Sequence, residues 1–516
     1  MSRIGLPLSL SSQPYTTKAD FGRSVIEFLK ANGSFKELKP SDEKGAKPVM
    51  AEIKELRNAH NEQKVVAIVA RALSTQLAQV NGHITAFISE KYPSIRSGSG
   101  VSKHDAKPDI ILGDAAFLRV RLPYGDETDA NSLQFGQLQL SNWHIRSSML
   151  VIAEAKKAAH KKFAEAFGEL CTYMSLTSQD LPEDFTGRKP WTRGLLFDSE
   201  KFYLLKYRDG KFVDCRYSNW DTPGSLQLLE AFLKIQDPWS LALRKLCDLL
   251  GVTLKLLSSQ ELREDKSMGE MHTPFLGAGR YGRAVLVRSA DDRDVVLKIV
   301  IGKTVHRLNE EFDKLSAAYL RCPALVAQPV TLSFCTGSVP VCCEHELEQY
   351  SEEEVDFGGY LIEDVGQPIT ISPSTIDQVL RSLLALHLES IHHGDARVQN
   401  CIAIGSGSDQ SYRWIDLRDS NLQQSLKSAF AADLETFFRS SVTNSFNGEQ
   451  VKAIDAYSEK VRTILESRTK LNASEADGMI KNVLKPFNEQ IQSLTNSKGT
   501  YPLLLLLCRT STKAFS

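Results

Sequence analysis

Residues 276–287 read LGAGRYGRAVLV, and the interpretation of the second half of the chain starts from this stretch. It places Gly277, Gly279 and Gly282 in G-x-G-x-x-G spacing, a pattern that several phosphate-binding folds share. In dinucleotide-binding folds this pattern opens a helix. Here two runs of aliphatic residues follow instead, around the turn Ala290-Asp-Asp. The stretch therefore predicts a glycine loop within a β-hairpin.

The second strand of this predicted hairpin contains Lys298 among aliphatic residues. A buried ammonium group is costly unless an anion neutralises it. The next stretch, HRLNEEFDKLSAAYL, has helical periodicity and carries Glu311 on the same face as Leu308 and Leu315. We therefore expect Glu311 to pair with Lys298, and Glu310 is the alternative.

Downstream, the sequence HGDARVQN begins at His393 and includes Asp395, Arg397 and Asn400, and two strand-like runs then lead to Asp416. The spacing resembles the catalytic loop of protein kinases, followed by their metal-binding aspartate. The glycine loop and the strand lysine precede it in the order that kinases have.

The kinase resemblance covers roughly residues 270–516 and implies a bilobal fold that binds ATP and Mg²⁺. It implies that Asp395 accepts the proton of the acceptor hydroxyl and that Asn400 and Asp416 hold Mg²⁺. Arg397 occupies the position of a lysine that steadies the transferred phosphoryl group in many kinases. The glycine loop and the strand lysine would hold the ATP phosphates.

The motif at Asp416 reads Asp-Leu-Arg in place of Asp-Phe-Gly, and the helix-like stretch at Ala432-Asp433 follows soon afterwards. The short segment and the His-Gly-Asp sequence resemble aminoglycoside-phosphotransferase-like and other atypical kinases. The phosphate acceptor therefore remains open between a protein and a small molecule, and a pseudokinase is an alternative.

A second motif lies in the first half of the chain, where Asp109 precedes an apolar run and Glu154-Ala-Lys156 ends another. Alternation along a strand places Glu154 and Lys156 on one side. The trio resembles the PD-(D/E)xK nuclease signature, which implies that the two carboxylates bind Mg²⁺ and that the lysine positions or activates water. The alternative for Glu-x-Lys is a solvated ion pair. The interval between Asp109 and Glu154 is long for this motif and requires an insertion, which we expect within the polar stretch 124–142.

Two further acidic residues accompany this motif. Glu62 begins a helical stretch, where the nuclease family often supplies another metal-facing carboxylate. Glu169 stands where relatives often have glutamine, four residues before Tyr173. A basic cluster follows the motif and comprises Lys157, His160, Lys161 and Lys162. It is predicted either to contact DNA phosphates or to be the exposed face of a helix.

The composition is that of a soluble globular protein: 516 residues, of which 42% are hydrophobic and 24% charged, which excludes wholesale disorder. The formal charge of -1 excludes a bulk attraction for nucleic acid. We expect no membrane span, since no segment approaches the ~20 apolar residues required. Nine cysteines without metal-site spacing are typical of reduced thiols in the cytosol or nucleus.

These patterns predict a multidomain fold of α/β and α+β type, in which a restriction-endonuclease-like α/β core precedes a bilobal protein-kinase-like domain. The predicted parts are an N-terminal arm or helical lead-in over 1–50, the nuclease-like domain over 51–235, a helical connector over 236–269 and the kinase-like domain over 270–516.

This domain order resembles Crinkler effectors and the related fungal-type kinase-domain proteins. The resemblance implies a virulence effector that acts in the nucleus or cytoplasm of a host cell and cleaves DNA. The hypothesis is thus a Mg²⁺-dependent endodeoxyribonuclease joined to an ATP-dependent kinase, with DNA, ATP and a phosphate acceptor as partners. One alternative is a kinase with a non-cleaving nuclease-fold module, and another is a pseudokinase scaffold.

Overall fold

The computed structural model describes residues 17–38, 47, 49, 56, 58, 61–80, 84–88, 108–114, 116–117, 133–134, 150–156, 162–179, 191–234, 236–254, 275–278, 282–346, 349–369, 373–389, 391–405, 410–417, 432–433 and 436–437. The chain forms two compact units. Unit 1 comprises Met1–Lys245, Leu254–Ala278 and Ser338–Val355, and unit 2 comprises Leu246–Thr253, Gly279–Gly337 and Asp356–Ser516.

The helices of the described residues are α1 Lys18–Ala31, α2 Glu62–Val80, α3 Phe163–Gln179, α4 Ser225–Leu233, α5 Pro238–Leu250, α6 Val305–Arg321 and α7 Pro373–Leu388. The strands are β1 Phe35–Glu37, β2 Ile84–Ile88, β3 Ile110–Asp114, β4 Leu133–Gln134, β5 Val151–Ala155, β6 Thr192–Phe197, β7 Lys201–Arg208, β8 Lys211–Asn219, β9 Thr253–Leu254, β10 Phe275–Ala278, β11 Gly282–Arg288, β12 Asp294–Ile301, β13 Cys335–Glu346, β14 Gln349–Ile362, β15 Gln367–Pro368, β16 Cys401–Ile404 and β17 Ser411–Trp414. Within these ranges, each helix is too short or too polar to span a membrane.

Unit 1 is built on a mixed sheet with the strand order β1-β8-β7-β6-β5-β3-β2-β4. Strands β3 and β5 are antiparallel neighbours, whereas β5 and β6 are parallel and connected through α3. Helices α1 and α3 cover one face of the sheet, and α2 and α4 cover the other, each pair over its own apolar core. The result is a three-layer α/β unit, which brings the start of β3 beside the end of β5.

The N-terminal helix α1 belongs to this core, which differs from the arm or lead-in expected over 1–50. Its apolar stripe, which includes Val25 and Leu29, is buried because apolar residues recur at helical spacing. A Cβ atom on Gly22 would lie 1.9 Å from the carbonyl oxygen of Ala164, and Gly168 has an equally close backbone neighbour on α1. Helices α1 and α3 therefore touch backbone to backbone, and glycine is required at both positions.

The predicted hairpin after α3 is confirmed. Strands β6 and β7 are antiparallel, and the Asp198 carboxylate between them accepts hydrogen bonds of 2.8 Å from the backbone N–H groups of Glu200 and Lys201. Strand β8, which the sequence patterns did not predict, extends the hairpin on its other side. The helix predicted from about Lys157 is observed from Phe163 onward, and residues 157–161 lie outside the described residues.

In unit 2, β11 and β12 form the predicted antiparallel hairpin, with Gly282 opposite Val300. Strand β12 also pairs antiparallel with the end of β14, where Lys298 lies opposite Tyr360. A separate antiparallel sheet consists of β15, β16 and β17. The loop between α7 and β16 and the residues after β17 carry the motifs predicted for catalysis.

Candidate functional site

Lys298, on β12 of unit 2, lies between two carboxylates. Its Nζ is 2.6 Å from Oε1 of Glu311 on α6 and also bonds to the carboxylate of Asp416. Burial works against the charged ammonium, but the negative charges of Asp416 and Glu311 outweigh it and raise the pKa of Lys298. The structure thus brings together the lysine and the glutamate that the sequence suggested, whereas Glu310 is exposed.

Glu311 is held in place from a second side. The hydroxyl of Tyr360, on β14, donates a hydrogen bond to the same Oε1 atom that binds the lysine. Burial and the charge of Glu311 raise the pKa of Tyr360 well above its usual value, so the hydroxyl keeps its proton and remains a donor. Leu308 and Leu315 anchor the helix because both are buried on the same face.

In the loop after α7, Arg397 binds the carboxylate of Asp395. Nε of Arg397 donates to one oxygen of Asp395 at 2.7 Å, and Nη2 donates to the other at 2.8 Å. This bidentate hydrogen bond raises the pKa of Arg397. The side-chain amide of Asn400 donates to the carbonyl oxygen of Asp395 at 2.9 Å. Arg397 and Asn400, the other two predicted residues of this loop, therefore both bind Asp395.

Asp433 shapes the backbone of this loop, a role that the sequence patterns did not reveal. Its carboxylate accepts hydrogen bonds of 2.9 Å from the backbone N–H groups of both His393 and Gly394. It also contacts Nε2 of His387 at 2.8 Å. Gly394 has a φ angle of 76°, which favours glycine because other side chains are strained there. The signal in the sequence was a helix-like Ala432-Asp433 pair without a visible partner.

Asp416 adopts a left-handed backbone conformation, with a φ angle of 60°. Such a conformation is uncommon for residues other than glycine, although aspartate adopts it more readily than most, and it recurs at functional sites. The preceding residue, Ile415, donates its N–H to the carbonyl oxygen of Asn400 at 2.9 Å. This hydrogen bond joins the strand end to the catalytic-type loop, and the charge of Arg397 interacts with Asp416 as well as with Asp395.

The glycine motif is described in part. Gly277 lies on β10 and Gly282 begins β11, whereas Gly279 lies outside the described residues. A Cβ atom on Gly282 would lie 3.7 Å from Cε of Lys298. The end of the glycine motif therefore runs directly beside the lysine.

In unit 1, the structure brings Asp109 to the end of β5. The backbone N–H of Asp109 donates to the carbonyl oxygen of Ala153 at 3.0 Å. Its Oδ2 accepts a hydrogen bond of 2.7 Å from the N–H of Ala155. Glu154 lies between these two partners, and its side chain is buried, with an exposed fraction of 3%. The Asp and Glu of the predicted motif thus share one site.

Both carboxyl groups are held in unfavourable surroundings for a negative charge. Burial raises the pKa of Asp109 to about 6, and the charges of Glu62 and Glu169 add to the rise. Burial and the neighbouring charge of Asp109 raise the pKa of Glu154 well above its usual value. Oε2 of Glu154 is buried and has no hydrogen-bond partner among the described residues.

Lys156 provides part of the missing positive charge. Its Nζ lies 2.5 Å from Oε1 of Glu154 and 3.4 Å from Oε2 of Glu169. Burial opposes its charge, but Glu154 and Glu169 outweigh that effect and raise the pKa of Lys156. On α1, Lys18 binds Oε1 of Glu169 at 2.6 Å, and the hydroxyl of Tyr173 donates to the same atom at 2.9 Å.

Glu62 lies in the first turn of α2, and its charge acts on both Asp109 and Lys156. The predicted fourth carboxylate thus belongs to the same electrostatic cluster. Of the predicted basic cluster, Lys162 is described; it is exposed and pairs with Glu165 at 3.6 Å. This matches the interpretation of an exposed helix face for that residue, and the other three lie outside the described residues.

The fit of these groups to Mg²⁺ differs between the two clusters. In the part of the chain that the structure describes, no three acidic, histidine or cysteine side chains form a ready-made metal site. In unit 1, Oε2 of Glu154, which no described residue binds, lies beside Asp109 and still fits Mg²⁺, because this cation prefers oxygen ligands. In unit 2, Asn400 and Asp416 also offer oxygen atoms, although Lys298 occupies the carboxylate of Asp416.

Solved structures similar to this chain include the kinase domain of PknI from Mycobacterium tuberculosis, at 13% identity and a TM-score of 0.24. Two mutants of that domain match at 13% and 12% identity, with TM-scores of 0.26 and 0.23. Each match covers 42% of this chain and 94% of the kinase domain. No protein-family model matches the chain, and no curated protein matches it.

Proposed function

We propose that unit 2 is a protein-kinase-like domain that binds ATP and transfers a phosphoryl group. The observation that supports this most strongly is the position of Lys298, which bridges Glu311 on α6 and Asp416 after β17. Kinases hold the nucleotide phosphates with a strand lysine that pairs with a helix glutamate, close to an aspartate that binds Mg²⁺. The Asp395 loop supplies the group that such a reaction requires at the acceptor.

The kinase resemblance gives each residue of the cluster a role, and the observed contacts are compatible with it. Asp395 would accept the proton of the acceptor hydroxyl, after Arg397 turns from its bidentate bond toward the transferred phosphoryl group. Lys298 would bind the phosphates, with Glu311 holding it in place. Asn400 and Asp416 would hold Mg²⁺, which neutralises negative charge that develops on the phosphates.

The test measures transfer of radiolabel from ATP by the full-length protein in the presence of Mg²⁺. We expect Asp395→Asn to lower transfer about 100-fold or more, since general bases contribute that much, and to keep ATP binding. Asp356→Asn changes an exposed acid on β14 and is the matched control. ATP binding by the wild type without transfer would favour the pseudokinase, and transfer that survives Asp395→Asn would contradict the assignment of the base.

We propose further that unit 1 is a Mg²⁺-dependent phosphodiesterase of the restriction-endonuclease-like type, with DNA as its substrate. The supporting observation is the buried Oε2 of Glu154, which none of the described residues binds, next to Asp109, whose pKa is raised to about 6. Two crowded carboxylates are costly for stability, and a bound cation would offset this cost.

In this proposal Asp109 and Glu154 hold Mg²⁺, and Glu62 is the further acidic residue. Mg²⁺ would stabilise the attacking and leaving oxygens at phosphorus. Because Lys156 keeps its proton, it positions the attacking water and neutralises charge, and it does not act as the base. Glu169 orients Lys156 from the opposite side.

Plasmid nicking by the full-length protein with Mg²⁺ tests this activity. We expect Glu154→Gln and Asp109→Asn to abolish nicking, because each removes a metal ligand. Glu165→Gln alters an exposed acid on the same helix as Glu169 and should leave nicking unchanged. A wild type that does not nick DNA under any Mg²⁺ concentration would leave the alternative of a kinase with a non-cleaving module.

The effector role is supported by the order of the two sites in one chain, as in the Crinkler-type proteins that the sequence resembles. The proposed location is the nucleus or cytoplasm of a host cell. Expression of the tagged full-length protein in eukaryotic cells tests it: nuclear signal with DNA breaks that require Glu154 is expected. Cells with intact DNA would contradict the effector role.

A further inference from the structure

A groove of about 400 Å³ lies on unit 1, away from the Glu154 cluster. Its walls come from α1, β1, the start of α3, β7 and β8. Four aromatic side chains line it, namely Phe35, Phe163, Tyr203 and Tyr217. All four are partly exposed, so their rings are accessible to a ligand.

The rings form one continuous surface. Tyr203 and Tyr217 stack with their centroids 5.2 Å apart and an interplanar angle of 26°. Phe163 lies 4.7 Å from Tyr203, and Phe35 lies 5.2 Å from Tyr217. An accessible surface of several rings is the feature on which proteins stack unpaired nucleic-acid bases.

Basic side chains stand around this aromatic surface. Arg23, Lys30 and Lys201 line the groove together with the acidic Glu27. The hydroxyl of Tyr217 also donates a hydrogen bond to Glu37 at 3.4 Å. Arg23 is already paired with Asp20, so Lys30 and Lys201 are the cations that remain for phosphate groups. Lys30 also lies 5.5 Å from the centroid of the Phe35 ring. Rings flanked by cations are typical of single-strand binding grooves.

The strand register aligns this groove with the acidic cluster. Glu154 pairs with Leu196, Leu196 with Tyr203, and Tyr203 with Tyr217. Residues directly opposite each other across a sheet point to the same face, and strands are spaced about 4.8 Å apart. The two tyrosines therefore lie on the same face of the sheet as Glu154. Their backbone positions are two and three strands away, about 10 Å for Tyr203 and about 14 Å for Tyr217.

We propose that this groove binds an unpaired base and the flanking phosphates of a single-stranded polynucleotide. The groove then presents the strand to Asp109 and Glu154, a few nucleotides away. That second step rests on the phosphodiesterase proposed above, whereas the binding itself does not. Bases within a blunt duplex are covered by their neighbours and would not reach the rings.

The test is fluorescence anisotropy of labelled oligothymidylate with the full-length protein in EDTA, where metal-dependent cleavage cannot occur. We expect Tyr217→Ala to weaken binding about tenfold and Tyr217→Phe, which keeps the ring, to bind like the wild type. Lys201→Ala should weaken binding and reduce its salt dependence. Lys211→Ala, at the opposite end of the same hairpin, should do neither. A blunt duplex should bind more weakly than the oligomer.

Equal affinity of Tyr217→Ala and the wild type, or of duplex and single strand, would overturn the proposal. If Tyr217→Ala unfolds, the comparison of Lys201→Ala with Lys211→Ala tests the proposal instead. Equal affinity of these two variants for oligothymidylate would overturn it. Oligouridylate in a parallel arm distinguishes RNA from DNA, and Tyr217-dependent binding of either supports the groove. Ring-dependent binding by a wild type that does not cleave would refute the phosphodiesterase alone.

Discussion

The acidic cluster of unit 1 and the Lys298 cluster of unit 2 solve the problem of buried charge differently. In unit 2 the lysine lies between two carboxylates, and the Asp395 carboxylate is occupied by Arg397. In unit 1 the acids Asp109 and Glu154 share Lys156 with further acids, and one oxygen of Glu154 has no hydrogen-bond partner within the described part of the chain. The acidic cluster of unit 1 is therefore short of positive charge, as expected of the proposed metal site. In the proposed kinase, the Lys298 cluster of unit 2 would exchange its ion pairs for contacts with the nucleotide.

The largest expected effect on stability is that of Mg²⁺ on unit 1. At pH 8, a Mg²⁺ concentration about 100 times the dissociation constant should stabilise the fold by about 2.7 kcal/mol, because the ion binds only the folded site. Hydrogen exchange of peptides from β5 and α3, with and without Mg²⁺, measures this gain in stability. Glu154→Gln should abolish it, and equal stabilisation of that variant would show that the ion binds elsewhere.

The second effect concerns the Lys298 cluster of unit 2. Lys298→Met should destabilise unit 2 by about 2 kcal/mol, because it leaves Glu311 and Asp416 without their shared cation. The cost is smaller than for a fully buried pair, since the Asp416 side chain has an exposed fraction of 32%. This loss of unfolding free energy is measured by urea unfolding, with hydrogen exchange of peptides from α6 as the probe of unit 2. Lys303→Met, an exposed position just after β12, is the control and should change little.

A smaller effect is the pH dependence of the metal-free acidic cluster. The pKa of Asp109 is about 6, compared with an ordinary 3.8. A carboxyl group whose pKa is raised by folding binds its proton more tightly in the folded state, so its stabilisation is complete below pH 3.8 and is lost as the pH rises through about 6. Asp109→Asn should therefore be more stable than the wild type at pH 8 and lose that advantage at pH 3.5.

Urea unfolding in EDTA at both pH values measures this difference. Glu165→Gln, an exposed acid on α3, should show no such pH-dependent gain. A less stable Asp109→Asn at pH 8 would mean that the hydrogen bond from Ala155 outweighs the cost of the buried charge.

The smallest effect belongs to the exposed pair of Lys162 and Glu165, whose side chains have exposed fractions of 77% and 52%. Exposed ion pairs contribute at most about 1 kcal/mol, so Lys162→Ala should shift the unfolding free energy by less than about 0.5 kcal/mol. If it also leaves the affinity for oligothymidylate unchanged, this lysine is not part of the nucleic-acid surface. A large loss of affinity would restore the basic-cluster interpretation for Lys162.

Local patterns were enough to predict the hairpin of β11 and β12 and the pairing of Lys298 with Glu311. Both depend on residues close in the chain, where helix and strand periodicity determine which side chains share a face. The contact of Asp109 with the end of β5 was predicted from a family resemblance, since the interval between them carries no regular pattern. Asp433 and Lys18 could not be predicted, because neither residue has a local signature that names its partner.

By itself, the sequence determined the types of chemical group present and their local spacing: the glycine motif, the lysine in a strand, and two sets of acids at strand ends. Only the tertiary structure decided which charges neutralise each other. It placed Lys18 against Glu169 through the close contact of two glycines and aligned Tyr203 and Tyr217 with Glu154 across the sheet. The physical reason is that strand order and helix packing depend on the burial of whole apolar faces, which short spacings in the sequence do not encode.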